Sequence, residues 1–213
     1  MKEVVIRLYG SEQNRTYDID TCIAFRKTSE PFGGLSNMAP GYKIDIYGIE
    51  FLTSEALYQA CRFPNHPEIQ KQIIKQHSPM YAKDVSKKYA NLTREDWDIE
   101  RVKIMRWALR AKLVNNWYSF GELLKSTNGK IIVEDSPKDT FWGAQKIEKN
   151  FVGINALGRL LMQLREQYLM IENQSLIKLV PPKIENFIIV EKQIGTISLD
   201  VSKQLYGRNE MLW

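Results

Sequence analysis

The stretch Phe32–Phe63 constrains the fold more than any other part of the sequence. It opens on a pair of glycines, which predicts a tight turn. Alternating residues then run up to Gly48, which is typical of a short hairpin. A helix follows directly, with Thr53 or Ser54 as its N-cap. One short stretch therefore predicts a turn, a hairpin and a helix in fixed order.

The same stretch carries residues that suit a ligand site. Gly33 and Gly34 have no Cβ atom and would let a ligand approach the backbone, while Ser36 and Asn37 add small polar groups beside them. Glu55 stands in the first turn of a largely apolar helix, either as a partner of the helix dipole or as a catalytic group. The spacing alone favours the dipole role.

The composition is that of an ordinary globular chain. Its 213 residues are 44% hydrophobic and 26% charged, enough for one core domain with or without an appendage. No apolar run approaches the roughly 18 residues that cross a bilayer. The segment Met1–Tyr9 does not resemble a secretory signal, so we expect a cytoplasmic location without membrane contact.

Cysteine and histidine usage argues against several kinds of site. The two cysteines, Cys22 and Cys61, form no CxxC motif, and the only histidines are His66 and His77. This pattern predicts reduced thiols, no metal site and no cofactor. A catalytic triad would need one of only two histidines as its base. Any chemistry is therefore expected to rest on carboxylates, lysines or tyrosines.

Positive charge is concentrated in one region. The net charge of the chain is +5, yet Lys71–Lys112 holds eleven Lys or Arg and five Asp or Glu. Such a region suits a polyanion, either nucleic acid or a phosphorylated ligand. A solvated helical face explains it equally well, and the sequence leaves both open.

The pattern along the chain predicts a helix-rich α+β fold, a compact single domain with a few short strands. Residues 1–180 form the predicted domain, which Pro181-Pro182 ends, and 181–213 form a C-terminal extension packed on it. Gly10–Asp20 is expected to be turn-like. The predicted strands are Val4–Tyr9, Thr21–Phe25, Ile131–Glu134, Asn186–Glu191 and Thr196–Leu199. The predicted helices are Glu68–Gln76, Met80–Tyr89, Glu95–Asn115, Trp117–Ser126 and Ala156–Ile171.

The longest of these helices, Glu95–Asn115, has a predicted cap and two kinds of face. Thr93 and the acids after it resemble a capping box. A buried stripe is predicted at Val102, Met105, Leu109 and Leu113. The basic residues are expected on the remaining faces: Arg101, Lys103, Arg106, Arg110 and Lys112.

Two loops add further candidates. Arg26 and Lys27 follow the strand Thr21–Phe25 directly, where they suit phosphate binding or lysine chemistry, although a surface lysine is the commoner outcome. In the segment 135–143, Trp142 beside Gly143 offers a flat surface on which a base could stack. A core tryptophan at a tight turn is an equal alternative.

Four segments together resemble a known family. They are GGLSNM at 33–38, TSEALYQA at 53–60, DTFWG at 139–143 and GINALGRLLMQLR at 153–165. In this order they resemble the NADAR superfamily, which includes the YbiA-like N-glycosidases. The GGLSNM form is more similar to a branch of antitoxins that remove ADP-ribose from guanine bases in DNA and so oppose a DarT-type toxin.

The resemblance implies an activity and its catalytic residues. It implies cleavage of an N-glycosidic bond to ribose by Glu55 and Asp139, with the acid and the charge-stabilising role unassigned between them. Lys27 resembles a lysine of the antitoxin branch that would exchange with the base nitrogen through an imine. The implied partners are ADP-ribosylated DNA, free ADP-ribose and a cognate DarT-type toxin.

Two other activities are compatible with the resemblance, and eleven residues are candidates for substrate binding. An N-glycosidase of phosphorylated riboflavin-pathway intermediates is one alternative, and a non-catalytic module that binds ADP-ribose or modified DNA is another. The candidate substrate-binding residues are Arg26, Gly33, Gly34, Ser36, Asn37, Tyr58, Arg62, Trp97, Trp142, Gly143 and Asn155.

Overall fold

A computed structural model describes residues 14–206 of the protein. The predicted strand Val4–Tyr9 lies outside these residues. The chain separates into two compact units. The first unit holds the described residues up to Ser36 together with Gly121–Glu172, and the second holds Asn37–Phe120 with the residues from Asn173 onward.

The described residues form short strands and longer helices. In chain order the strands are β1 Arg15–Asp18, β2 Cys22–Phe25, β3 Ile44–Ile46, β4 Ile49–Phe51, β5 Ile131–Glu134, β6 Gln145–Ile147, β7 Asn150–Gly153, β8 Leu176–Leu179, β9 Ile188–Ile189, β10 Lys192–Gln193 and β11 Ile197–Asp200. The helices are α1 Ser54–Ala60, α2 Pro67–Ile74, α3 Pro79–Lys88, α4 Trp97–Asn115, α5 Trp117–Lys125, α6 Ala156–Ile171 and α7 Lys203–Tyr206. These elements confirm the helix-rich α+β class.

The first unit contains two small sheets and the helix α6. Strands β1, β7 and β6 form an antiparallel sheet in that order, with Arg15 opposite Gly153. Strands β2 and β5 run parallel, with Phe25 opposite Glu134. Helix α6 packs on β5. A small core between these elements holds Tyr17, Val133, Ala144 and Phe151.

One expectation for the first unit was wrong. The segment 10–20 is predicted to be turn-like, yet β1 forms within it because β7 supplies a hydrogen-bonding partner far along the chain. The hairpin β6–β7 was not predicted from the sequence, and it turns at Glu148 in a left-handed conformation (φ 51°).

The second unit is mainly helical. Helix α1 packs against α2, α3 and α4. The predicted hairpin β3–β4 is confirmed, and Tyr47 and Gly48 at its turn both have positive φ angles, 55° and 80°. Ser78 caps α3 and Pro79 begins it, as predicted. Strand β11 pairs with the unpredicted β8, and β9 is shorter than the predicted strand at 186–191.

Helix α4 confirms the predicted stripe and corrects two details. The stripe residues Val102, Met105, Leu109 and Leu113 are all buried. The helix begins at Trp97, and the hydroxyl of Thr93 does not cap it but accepts a hydrogen bond from Arg62. Lys112 was expected on an exposed face. It is instead fully buried, with its ammonium 4.4 Å from the centre of the Tyr42 ring and 4.2 Å from that of Phe120.

The domain boundary at residue 180 stays a prediction. No helix among residues 14–206 is both long and apolar enough to cross a membrane.

Candidate active site

Glu55 lies at the start of α1, where three local contacts fix the backbone. The hydroxyl of Thr53 caps the helix by accepting from the Ala56 N–H at 3.2 Å. The Asn37 carbonyl accepts from the Glu55 N–H at 2.9 Å and from the Ser54 hydroxyl at 3.0 Å. The GGLSNM motif and the TSEALYQA motif are therefore joined at Asn37, directly beside the glutamate.

The Glu55 carboxylate is buried, with 3% of the residue exposed. Its Oε2 accepts a hydrogen bond from the Asn37 side-chain amide, and its Oε1 accepts one from Gln59 Nε2 at 2.8 Å. Burial raises the pKa of this carboxyl group, against the lowering effects of Gln59, Lys83, Arg62 and Asn37. A carboxyl group with a raised pKa, held by two amides, suits acid–base or charge-stabilising chemistry.

Arg62 extends this network away from the carboxylate. Its Nη1 donates to Gln59 Oε1 at 3.3 Å and to the Ser86 hydroxyl at 3.0 Å, and its Nη2 donates to Thr93 at 3.0 Å. The guanidinium carbon also lies 4.9 Å from the centre of the Trp97 ring. Arg62 thus orients Gln59, which in turn orients Glu55. Its expected contact with the substrate stays a prediction.

Two aromatic residues stand next to this network. The rings of Tyr58 and Trp97 lie 4.9 Å apart at an angle of 45°. Tyr58 is buried, and its burial, with the nearby Glu55 charge, raises the pKa of its hydroxyl well above the ordinary value. Trp97 keeps part of its surface exposed, so it is the member of this pair that can present a ring to a base.

In the first unit, the parallel pair β2–β5 brings two candidate loops to one edge. Parallel strands end at the same edge of a sheet, and the Asp135 N–H donates to the Phe25 carbonyl at 2.9 Å there. The loop 26–32 leaves from β2, and the loop 135–143 leaves from β5. The candidates Lys27 and Asp139 therefore stand in neighbouring loops.

The loop after β2 is organised by Glu30. Its Oε2 accepts from the Arg26 N–H at 2.8 Å and the Lys27 N–H at 3.1 Å, and these two bonds hold the pKa of Glu30 below its ordinary value. The side chains of Arg26 and Lys27 are exposed. Both are therefore accessible to an anionic substrate.

Gly33 is required by this loop for a different reason from the predicted one. A Cβ atom at Gly33 would collide with the backbone carbonyls of Lys27 and Thr28. Gly33-Gly34 belongs to a 3₁₀ turn that ends at Leu35, and Ser36 after it is buried. The missing side chain at Gly33 thus allows the loop to pack on itself. Its contact with a ligand stays a prediction.

Asp139 holds the turn that carries Trp142. Its Oδ1 accepts from the N–H groups of Phe141 at 3.0 Å and Trp142 at 2.9 Å. The Trp142 ring packs edge to face on Phe141, with centroids 5.1 Å apart. Gly143 is buried, and a Cβ there would lie 2.7 Å from Cβ of Ser136. Asp139 is exposed, so its second carboxylate oxygen is available for chemistry.

Asn155 has a structural role. It is fully buried in a left-handed conformation (φ 53°) just before α6. Its Nδ2 donates to the Ile132 carbonyl at 2.8 Å, and its Oδ1 accepts from the Glu134 N–H at 3.1 Å. This side chain fastens α6 to β5. Its substrate contact stays a prediction.

The second unit brings five of the predicted residues into one network, and sequence reasoning missed three others. The predicted members are Asn37, Glu55, Tyr58, Arg62 and Trp97. The missed members are Gln59, Ser86 and Thr93. Gln59 had a signal, because residues four apart share a helix face and a glutamine there can reach the glutamate. No pattern in the sequence indicated that Ser86 or Thr93 would belong to this network.

No group of three His, Cys, Asp or Glu side chains within residues 14–206 could hold a metal ion.

The geometry can now be compared with known proteins. The chain is 35% identical over 148 residues to the N-glycosidase YbiA of Escherichia coli, which covers 70% of this chain and 89% of that protein. It is 35% identical over 161 residues to the riboflavin biosynthesis protein PYRR of Zea mays, which covers 69% of this chain but only 25% of that protein. The NMR structure of E. coli YbiA superimposes with a TM-score of 0.62 at 32% identity, covering 80% of this chain and 94% of that one.

These relatives support N-glycosidase activity, the hydrolysis of an N-glycosidic bond. The NADAR domain model matches residues 24–169. This range contains all four motifs and every candidate residue discussed above. On this match and these relatives, the chain belongs to the NADAR family.

Proposed function

We propose that this protein is an N-glycosidase that removes ADP-ribose from guanine bases in DNA. One observation carries the proposal, namely the buried Glu55 carboxyl held between the side-chain amides of Asn37 and Gln59. Its burial and its fixed orientation between two amide donors are the properties that stabilisation of positive charge on a ribosyl carbon asks of a carboxylate.

Cleavage of the N-glycosidic bond requires a negatively charged group beside the ribose. As the bond between the ribose C1′ and the base nitrogen breaks, the nitrogen leaves with the electron pair and positive charge develops on C1′. An ionised Glu55 stabilises that charge, and the two amide donors keep its oxygens in place. Water then adds its hydroxyl to C1′, and its proton balances the one taken up by the departing nitrogen.

Asp139 and Lys27 are assigned the remaining roles in this proposal. Asp139, with one oxygen free of backbone contacts in the described structure, delivers or accepts the proton. Lys27 supplies an alternative route when the leaving group is an exocyclic amine. The opened sugar forms an imine, the lysine amine replaces the base amine on C1′, and water releases the sugar and restores the lysine.

The choice of modified DNA as substrate rests on charge and on the first motif. The region 71–112 still holds ten basic and five acidic residues when the buried Lys112 is left out, and this positive excess suits a nucleic acid backbone. The GGLSNM motif resembles that of the antitoxin branch. A DarT-type toxin that attaches ADP-ribose to DNA is the proposed biological counterpart.

The direct experiment is release of unmodified DNA from an ADP-ribosylated-guanine oligonucleotide. Glu55→Gln is expected to slow release by about 10²- to 10⁴-fold, the range of acid–base contributions. Glu50→Gln, an exposed glutamate on β4, is the matched control and should retain activity. If the wild-type protein at high concentration releases no DNA, this substrate is wrong. Tight ADP-ribose binding in calorimetry without any turnover would then favour a binding module.

Lys27 has its own test. Borohydride reduction during turnover should trap a covalent adduct with the wild-type protein and none with Lys27→Ala. Lys43→Ala, an exposed lysine on the β3 side of the hairpin, serves as the control and should still trap. Trapping that persists in Lys27→Ala would remove this lysine from the reaction.

A second candidate is favoured by the name of one relative. PYRR of Zea mays is a riboflavin biosynthesis protein, which points to a phosphorylated intermediate of that pathway as substrate. The two candidates separate in a competition assay that offers the modified oligonucleotide and the nucleotide intermediate together. A higher kcat/KM for the intermediate would decide for this second function.

A further inference from the structure

A groove lies between a helix that the NADAR family model matches and a segment beyond the end of that match. One wall is helix α4, through Lys103, Arg106, Trp107 and Arg110, and the other is the segment Val180–Lys183. Its volume is about 290 Å³. The family match ends at residue 169, so the second wall belongs to the C-terminal part that this chain adds to the domain.

The basic residues of α4 share one face of the helix. Lys103, Arg106 and Arg110 follow one another at three and four residues, the spacing that aligns side chains on a helix. At a rise of about 1.5 Å per residue, the seven steps from Lys103 to Arg110 span roughly 10.5 Å along the helix axis. One strand of a nucleic acid carries a phosphate about every 3.4 Å along the axis. The row is therefore long enough for about three nucleotides.

The second wall fixes another cation opposite this row. Pro181 and Pro182 restrict the backbone, and the Ile184 N–H donates to the Pro182 carbonyl at 2.9 Å. Lys183 follows the two prolines and is exposed. Pro181-Pro182 was interpreted from sequence only as the end of a domain. In the structure it also forms part of a basic groove.

The positive charge of the groove is only partly balanced. Lys103 pairs with Glu100 at 2.8 Å. Arg110 and Lys183 form no ion pair with any residue between 14 and 206. Burial lowers the pKa of Arg110, and the neighbouring Arg106 lowers it further, which shows two guanidinium groups repelling each other. An anion between these cations would relieve that repulsion.

Trp107 contributes a buried donor at the same place. It is 2% exposed, and its ring packs edge to face on Phe187 with centroids 4.8 Å apart. Its indole N–H has no acceptor among the described residues. Buried donors in native proteins almost always have a partner, so an ordered water is the expected acceptor of this N–H, while the Trp107 side chain forms part of the groove lining.

We infer that this groove binds the phosphate backbone of a nucleic acid strand. Three cations in a row on one wall, with a fourth on the other wall, match a repeated phosphate better than a single small phosphate, which needs only one cluster of donors. The inference adds a site to the proposed function and rests on it only for the choice of DNA. The site would hold unmodified flanking nucleotides, while the Glu55 network acts on the modified one.

The test measures binding of an unmodified duplex oligonucleotide at 50 to 200 mM salt. Each lost phosphate contact should lower the slope of log K against log salt by about 0.9. Between 50 and 200 mM salt, the affinity of a variant that lacks one contact should therefore fall about 3.5-fold less than that of the wild type. For the double variant Arg110→Gln with Lys183→Gln, the difference should be about twelvefold. Lys130→Gln, an exposed lysine just before β5 and outside the basic region 71–112, is the control with the same change of charge as one groove substitution and should leave the slope unchanged.

Several outcomes would overturn the inference. One is a slope that Lys130→Gln lowers as much as a single groove variant does, because a positive charge anywhere on the surface would then suffice. Another is wild-type protein that binds free pyrophosphate as tightly as the oligonucleotide, which would make the groove a small-anion site. If Arg110→Gln unfolds in circular dichroism, Lys183→Gln alone decides, since its side chain is exposed.

The result is separable from the proposed activity. Both groove variants should hydrolyse a mononucleotide-sized ADP-ribosylated substrate at the wild-type rate, because they lie outside the Glu55 network. Loss of duplex binding with intact turnover of the small substrate supports the groove. Intact duplex binding in an enzyme that turns over nothing supports the groove and refutes the proposed function.

Discussion

Replacing Gln59 with Leu tests whether the hydrogen bond to Glu55 sets its protonation. Gln59 Nε2 donates to Glu55 Oε1 at 2.8 Å, and both residues are buried. Leucine keeps a similar volume and removes the donor. Arg62 loses one acceptor but keeps its bonds to Ser86 and Thr93. The substitution therefore acts mainly on the carboxylate.

The size of the effect follows from the charge on the acceptor. A hydrogen bond to a charged group contributes about 1.5–3 kcal/mol. Removal of the Gln59 donor therefore destabilises the ionised Glu55 carboxylate by about this amount and the protonated form much less. At about 1.36 kcal/mol per pKa unit, the pKa of Glu55 should rise by about one to two units beyond its already raised value. The ionised form that stabilises the ribosyl charge then appears only at higher pH.

The assay is the pH dependence of kcat/KM on the best substrate identified. Its acid limb reports the free enzyme and should move upward by about one to two units, while the alkaline plateau changes little. Gln70→Leu is the matched control. Gln70 is equally buried in the second unit, but its side chain bonds only backbone groups of Ala60, Ile188 and Val190. That variant should lose stability and keep the wild-type pH profile.

An acid limb that stays in place for Gln59→Leu would refute the reasoning. It would mean either that Glu55 does not act in its ionised form or that the Asn37 amide alone sets its pKa. A limb that moves equally in Gln70→Leu would trace the shift to general loosening of the fold.

Two further predictions concern stability. The pKa of Glu55 is raised in the folded protein, so its contribution to stability is present below the unfolded pKa and is lost as pH rises through the folded one. In urea titrations from pH 4 to 8, the free energy of unfolding of Glu55→Gln should therefore rise relative to that of the wild type, by about 1.36 kcal/mol per unit of difference between the folded and unfolded pKa. A difference in unfolding free energy that stays constant with pH would contradict this. Gly158→Ala should cost about 1–3 kcal/mol, because its Cβ would collide with the Ile132 carbonyl and the Asn155 side chain, although alanine favours a helix. Gly195→Ala, whose Cβ would meet only the Tyr47 hydroxyl at 3.4 Å, is the control, and equal thermal shifts for the two variants would count against the packing argument.

Local patterns predicted the helices well, because caps and periodic apolar residues act within a few residues of each other. Thr53 and Ser78 cap α1 and α3, and the stripe of α4 is buried as its spacing indicates. The short strands were less predictable. Strands β1, β6 and β8 were missed because their stability comes from a partner strand, which a local pattern does not contain.

The candidate site was also predictable only where local motifs identify it. The sequence identified Glu55 as a candidate through four motifs in order, and the family model confirms the family that they suggested. It did not indicate whether the carboxylate is exposed or buried. The sequence also did not indicate the packing roles of Gly33, which lets a loop pack on itself, and of Asn155, which fastens α6 to β5, while their ligand contacts stay predictions.

The sequence by itself determined the kind of chemistry available to this protein, the order of its helices and the family to which it belongs. These depend on residue types and on interactions over a few positions. Only the tertiary structure decided which polar groups meet. It enclosed Glu55 between Asn37 and Gln59, buried Lys112 between two aromatic rings, and placed Lys183 across a groove from Arg110. Burial and electrostatic environment arise from contacts between distant segments, and the pKa of a group such as Glu55 depends on them.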